Sequence, residues 1–193
     1  MNFQHVNVKL FVENSAATVD LEPLIPVFHN WIQDQVFDEP LIDVADYSHV
    51  PEGPGVMIIG LQANYSVDNT DNRLGVRYNR KAAFDGSNQD RLAQATRSAL
   101  KACQRLESDA RLKGSIRFNG KEIEVSIDDR ALAPNTEATR ATAEPEFRAF
   151  CAKLFGGAEY TLSYGKDSRR LFGAVVKASK PFSVSDLLVN LGS

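Results

Sequence analysis

The 193 residues, 43% apolar and 24% charged, lie far from the low-hydrophobicity composition that stays disordered and suffice for one core, so a single self-folding domain is expected. A formal charge of -3 gives no global attraction for a phosphate backbone, whose binding rests on clustered Lys and Arg, and this argues against nucleic acid as a partner. The longest apolar run, Val56 to Leu61, is far shorter than the ~20 residues of a membrane-crossing helix, so no membrane association is expected and cytoplasm is the simplest address.

Met1 to Glu13 alternates apolar and polar residues rather than presenting a basic region and an apolar block, and reads as a strand instead of a secretory leader. Val6, Val8, Leu10 and Val12 share one face of it, with Asn7 and Lys9 on the other. After a polar stretch through Asn14 and Ser15, Asp20 can cap a helix that accepts Pro23 in its first turn. Leu24, Val27, Phe28 and Trp31 form its buried stripe, which fades by Gln35.

Leu41 to Tyr47 reads as extended and leads into a loop with Pro51, Gly53, Pro54 and Gly55. Val56 to Leu61, apolar on both faces, reads as a central strand that continues through Ala63, Tyr65 and Val67. Its antiparallel partner is Arg73 to Asn79, across the turn residues Asp68 to Asn72.

Ser87 or Asn88 caps a long helix reaching about Ala110, with Leu92, Ala95, Ala99, Cys103 and Leu106 on one face. Ile116 to Ile127 reads as a hairpin turning at Asn119 and Gly120, the dipeptide suited to a type I′ turn. Asp128 to Thr139 is loop, followed by a helix with Pro145 in its first turn, a stripe of Phe147, Phe150, Cys151 and Leu154, and a stop at Gly156 and Gly157. Glu159 to Tyr164 and Arg169 to Lys177 form a third hairpin, and Ser183 with Asp186 opens a terminal helix through Leu191 as a capping box.

Hairpins alternating with helices give an α+β class: a largely antiparallel sheet of hairpins packed with three to four helices, in one domain over residues 1–193. The order hairpin, helix, hairpin, helix, hairpin hints at an internal duplication without a residue-level repeat. The phrases VFHNWIQ at 27–33, LIDVADYSHVPEGPG at 41–55 and RLGVRYNRK at 73–81 resemble a bacterial family of conserved hypothetical proteins over roughly the first half of the chain. That resemblance implies a bacterial cytoplasmic setting and carries no activity, cofactor or functional residue with it.

Four residues are the candidate ligand contacts: Asp46, His49, Arg77 and Arg80. Asp43, Asp46, Tyr47 and His49 crowd one short stretch, where carboxylates and imidazole could serve acid–base work or ligate a metal. In an extended segment, however, Asp43 and Asp46 point to opposite faces, and Asp46 and His49 also suit plain hydrogen bonding within the Pro and Gly loop. Arg73, Arg77, Arg80 and Lys81 form a local basic group able to hold a small anionic ligand or to rest on a solvated strand face. His29 and His5 match no metal spacing, the two thiols read as packing, and no cofactor motif is present, so no catalytic or metal residue is assigned.

The expected function is therefore that of a non-catalytic cytosolic binding or assembly protein forming homo-oligomers, since hairpins leave sheet edges that need cover. The alternative is a hydrolase or metal-dependent enzyme with its site at the 46–55 loop, Arg77 fixing an anionic substrate. If a small-molecule site exists, the loop from Tyr47 to Gly55 is expected to wall it.

Overall fold

The alternation in Val6–Val12 forms the first strand, β1, in the computed structural model, which describes residues 1–13, 19–112 and 114–192. The polar stretch at Asn14 and Ser15 lies outside the described residues. The chain continues as α1 (Leu24–Gln33), the meander β2 (Leu41–Tyr47), β3 (Gly55–Gly60), β4 (Ala63–Asp68) and β5 (Gly75–Arg80), then α2 (Asn88–Ser108). It goes on through β6 (Phe118–Ile127), α3 (Glu137–Leu154), the hairpin β7 (Tyr160–Tyr164) and β8 (Phe172–Ala178), and α4 (Val184–Asn190).

All eight strands join in one antiparallel sheet, ordered β2-β3-β4-β5-β1-β6-β8-β7, and with the four helices this is the α+β class that the pattern predicts. Each half of the chain runs strand, helix, meander, helix, and the last meander strand returns to pair with the first strand of its own half: β5 with β1, β8 with β6. The β1–β6 pair joins the halves.

Strand alternation separates two unlike faces. Val8, Leu10, Tyr65, Val76, Tyr78, Ile123 and Val176 are buried in one core with the apolar stripes of the helices. α2 packs over β1 and β5, α1 over β2 and β3, and α4 over β6 and α2. Ser87 caps α2 in a full capping box with Asp90, which contributes about 1 kcal/mol. Leu92 and Leu106 anchor α2, while the small Ala95 and Ala99 between them let it lie close to the sheet.

Four predicted elements differ. The run from Val56 to Val67 is two strands, because the chain reverses at Leu61 and Gln62, and β3 lies second from the sheet edge rather than at its centre. Gly60 permits that reversal: a Cβ there would stand 2.5 Å from the Ala63 carbonyl oxygen. Asn119 and Gly120 make a bulge, not a hairpin. The β1–β6 register jumps between Leu10↔Ile123 and Phe11↔Asn119, the Asn119 side chain accepts the Lys121 N–H at 2.9 Å, and β6 carries on as one strand. The third helix starts earlier than expected, at Glu137 with Thr136 as its cap, so Pro145 lies in the interior and not in the first turn. At the first helix, Pro23 occupies the cap position, while Asp20 bonds the Glu22 N–H at 3.0 Å instead of capping.

Candidate functional site

On the face away from the helices, the register lines up Ser66, Arg77, Lys9, Glu124, Val175 and Ser163 across six strands. A second row sets Asn64, Asn79, Asn7, Ser126 and Gly173 beside it. Sheet faces left without a helix layer are ordinarily solvated, yet here Lys9 is 1% exposed and Asp68 3%. The Lys9 ammonium bonds the Asp68 carboxylate, and Thr70 donates its hydroxyl to the other Asp68 oxygen at 2.8 Å. Arg77 completes the group loosely, 3.4 Å from Asp68 and 3.5 Å from Glu124. At those separations its guanidinium keeps donor capacity for a further partner.

Burial is the largest influence on Asp68 and favours its neutral form, but the charges of Arg77 and Lys9 with the Lys9 and Thr70 hydrogen bonds outweigh it and hold the carboxyl below the usual range. Burial also dominates at Lys9 and lowers its pKa, with Asp68 opposing. The four charged groups thus compensate one another, and three of them, Asp68, Arg77 and Glu124, line a basin of about 740 Å³.

The basin's walls are loops fixed by side chains from elsewhere. Asn135 donates to the Gly165 and Asp167 carbonyls at 3.2 and 2.9 Å, and Arg140 to Gly165 at 2.6 Å, which holds the β7–β8 loop upright. Arg170 forks onto Asp71 at 2.7 and 2.8 Å, linking that loop to the β4–β5 turn across the rim. Arg77, Arg130, Lys166, Arg169 and Arg170 line the basin against Asp68, Asp71, Glu124 and Asp167, one cation in excess. Arg130 and Lys166 have no ion-pair partner among the described residues.

The four residues singled out from sequence fall in three places. Arg77 lies in the basin. Arg80, three positions on, points to the helix side and lines a separate cleft of about 760 Å³ beside α2. Asp46 is at the end of the edge strand β2, its carboxylate accepting the Ser48 N–H at 2.8 Å. Those Ser48 hydrogen bonds lower its pKa, and the His49 charge adds a smaller effect. His49 is exposed in the following turn.

The 47–55 loop lines neither large cavity: it rests on the β4–β5 turn, with Asn69 N–H donating to Gly53 at 3.0 Å and Asn72 to Glu52 at 2.9 Å. Of the basic group, Arg73 pairs with Glu122 at 2.8 Å and stacks on Phe11, and Lys81 bonds the Gly60 carbonyl. Among the described residues no cluster of three or more His, Cys, Asp and Glu is placed to hold a metal, and no helix is long and apolar enough to cross a membrane.

Sequence reasoning passed over Lys9, Asp68, Glu124, Arg130 and Asn135. A signal existed for the first: a lysine midway along a strongly apolar strand, where a buried cation requires a partner. Comparison of the chain with protein-family models, with curated proteins and with solved structures gave no match.

Proposed function

We propose that the chain is a non-catalytic binding protein that holds a small anionic ligand in the basin on the open sheet face. The carrying observation is the Arg77 guanidinium, loosely held over mutually compensating charges and facing a rim where Arg130 and Lys166 have no carboxylate partner among the described residues. Such an arrangement offers a carboxylate or phosphate several charge-assisted hydrogen bonds, each about 1.5–3 kcal/mol. Binding rather than nucleophilic chemistry suits the thiols as well: burial pushes Cys151 up to about 12 and Cys103 well above its ordinary value.

The test is a titration of labelled protein with inorganic phosphate and with acetate, followed by amide chemical shifts. The reading expects saturable shifts at Ser126 and along Gly165 to Leu171, weakened about tenfold or more in Arg77→Gln. Shifts that are absent, or unchanged in that variant, defeat it.

Self-association through β2 is the assembly side of the same reading. β2 is an edge strand, and Ile42, Tyr47, Val50 and Leu61 are exposed along it and at the turns that flank it. An antiparallel pairing of two copies centred on Val44 sets Asp43 opposite Ala45 and Asp46 opposite Ile42, so no two carboxylates face each other directly. Light scattering on the native chain and on Val44→Pro tests it, since that change removes the edge N–H that Asp43 accepts at 2.8 Å in the single chain and that the pairing would have to take over. A dimer that the variant turns into a monomer is expected; a native monomer, or a dimer indifferent to the change, rules this contact out.

A further inference from the structure

The cleft that takes Arg80 is separate from the basin, on the opposite side of the sheet, and its charge balance differs. One wall is α2, which presents Arg97, Lys101 and Arg105; the other is the segment from Val36 to Glu39, with Tyr65, Arg80, Phe84 and Gln94 deeper in. The spacing of i, i+4 and i+8 puts the three cations on successive turns, about 6 Å apart. Like charges at that spacing destabilise a helix, so the row has a cost in the free protein.

The acidic side of the cleft does not relieve it. Glu39 is buried and already saturated: it accepts from the Tyr65 hydroxyl, from Tyr78 at 2.6 Å, from Gln94 at 3.2 Å and from Arg80 at 3.5 Å. Its charge is matched by Arg80. That leaves exposed Asp38 against the helix row, four cations to two carboxylates over the whole lining.

The row is also positioned by neutral groups. Arg105 donates to the Val36 carbonyl at 3.1 Å and lies over the Phe37 ring, and Arg97 donates to the Leu191 carbonyl at 2.9 Å. The Val36 carbonyl orients the Arg105 guanidinium without neutralising it. Arg105 and Lys101 have no ion-pair partner among the described residues.

We infer that this cleft is a second binding site, for a multivalent anion carrying two or more phosphate or carboxylate groups about one helical turn apart. Its acidic groups bridge the turns at Lys101 and Arg105, while Phe37 and Phe84 flank its uncharged part.

Isothermal titration with inorganic tripolyphosphate, and in a second arm with citrate, tests the site and separates phosphate from carboxylate chemistry. Wild-type protein is expected to bind at least one of them saturably. The double variant Lys101→Gln, Arg105→Gln, checked for an unchanged melting transition, is expected to bind it at least about tenfold more weakly. Arg77→Gln, which alters only the basin, leaves this binding intact. No saturable binding of either anion to wild type, equal binding by the double variant, or loss of binding on changing Arg77 each overturns the assignment, and none of these depends on the basin's own ligand.

Discussion

Lys9 reaches Asp68 across an intervening strand: β5 separates β1 from β4, and the lysine stem passes over Gly75 to make the contact. A Cβ on Gly75 would stand 3.2 Å from the Lys9 Cε and 2.2 Å from the Leu10 carbonyl oxygen. The glycine is therefore a requirement of the ion pair and of the β1–β5 approach together. Asp68 in turn caps the start of the β4–β5 turn through Thr70, so one buried pair ties the basin floor to its rim.

Removing one member of such a pair leaves the other charge buried without compensation, which costs about 3–5 kcal/mol. Asp68→Asn and Lys9→Met are each expected to destabilise the fold by an amount of that order in urea denaturation. The double variant is expected to recover part of it, because the uncompensated charge is gone. Single variants within about 0.5 kcal/mol of wild type would show that water or another donor already serves these groups.

Acid stability carries the same signature. Asp68 has a folded pKa below its unfolded value, so its contribution is present above about pH 4 and is lost as pH falls through the folded pKa. Unfolding free energy should therefore drop between neutral pH and pH 3 more steeply in wild type than in Asp68→Asn. Parallel curves for the two proteins would place the acid sensitivity elsewhere.

What could be read from sequence follows from where the physics is local. The cap at Ser87 or Asn88, which the structure places at Ser87, the capping box at Ser183 and the stripe from Leu92 to Leu106 are determined within a few residues, and the structure keeps them. The start of α3 was hidden because its first buried positions are Thr139 and Ala143, too small to show a hydrophobic period. Asn119 and Gly120 do provide turn chemistry, but the pairing of β6 with β1 uses it for a bulge, and Gly120 is held by its approach to the Phe182 carbonyl. The basin was largely illegible: Arg77 was visible as a strand cation, whereas its meeting with Lys9, Asp68 and Glu124 depends on strand order, which no local pattern contains.

Thiol reactivity offers a check on the helix packing. Cys103 and Cys151 are buried, and burial raises both pKa values, so the native protein at pH 8 should react with a thiol reagent only as fast as it opens. Two equivalents should appear promptly in denaturant. Rapid labelling of either residue in the native state would mean that α2 or α3 is more loosely packed than the fold implies.

Pro145 gives the sharpest prediction, because its cost has no visible return. It sits inside α3, where a proline removes the N–H that would bond the carbonyl of Ala141 and crowds that carbonyl with its ring. The penalty for proline in a helix interior is about 3 kcal/mol relative to alanine. Pro145 is exposed, so replacing it forfeits little packing, whereas its neighbours Ala143 and Phe147 carry the buried side of the helix. Pro145→Ala should raise the urea midpoint with an unchanged m-value, by an amount worth about 1–3 kcal/mol, less than the full penalty because the surrounding helix has already adapted to the ring. A neutral or destabilising result would show that the ring sets a bend on which the seat of α3 against α2 and α4 depends.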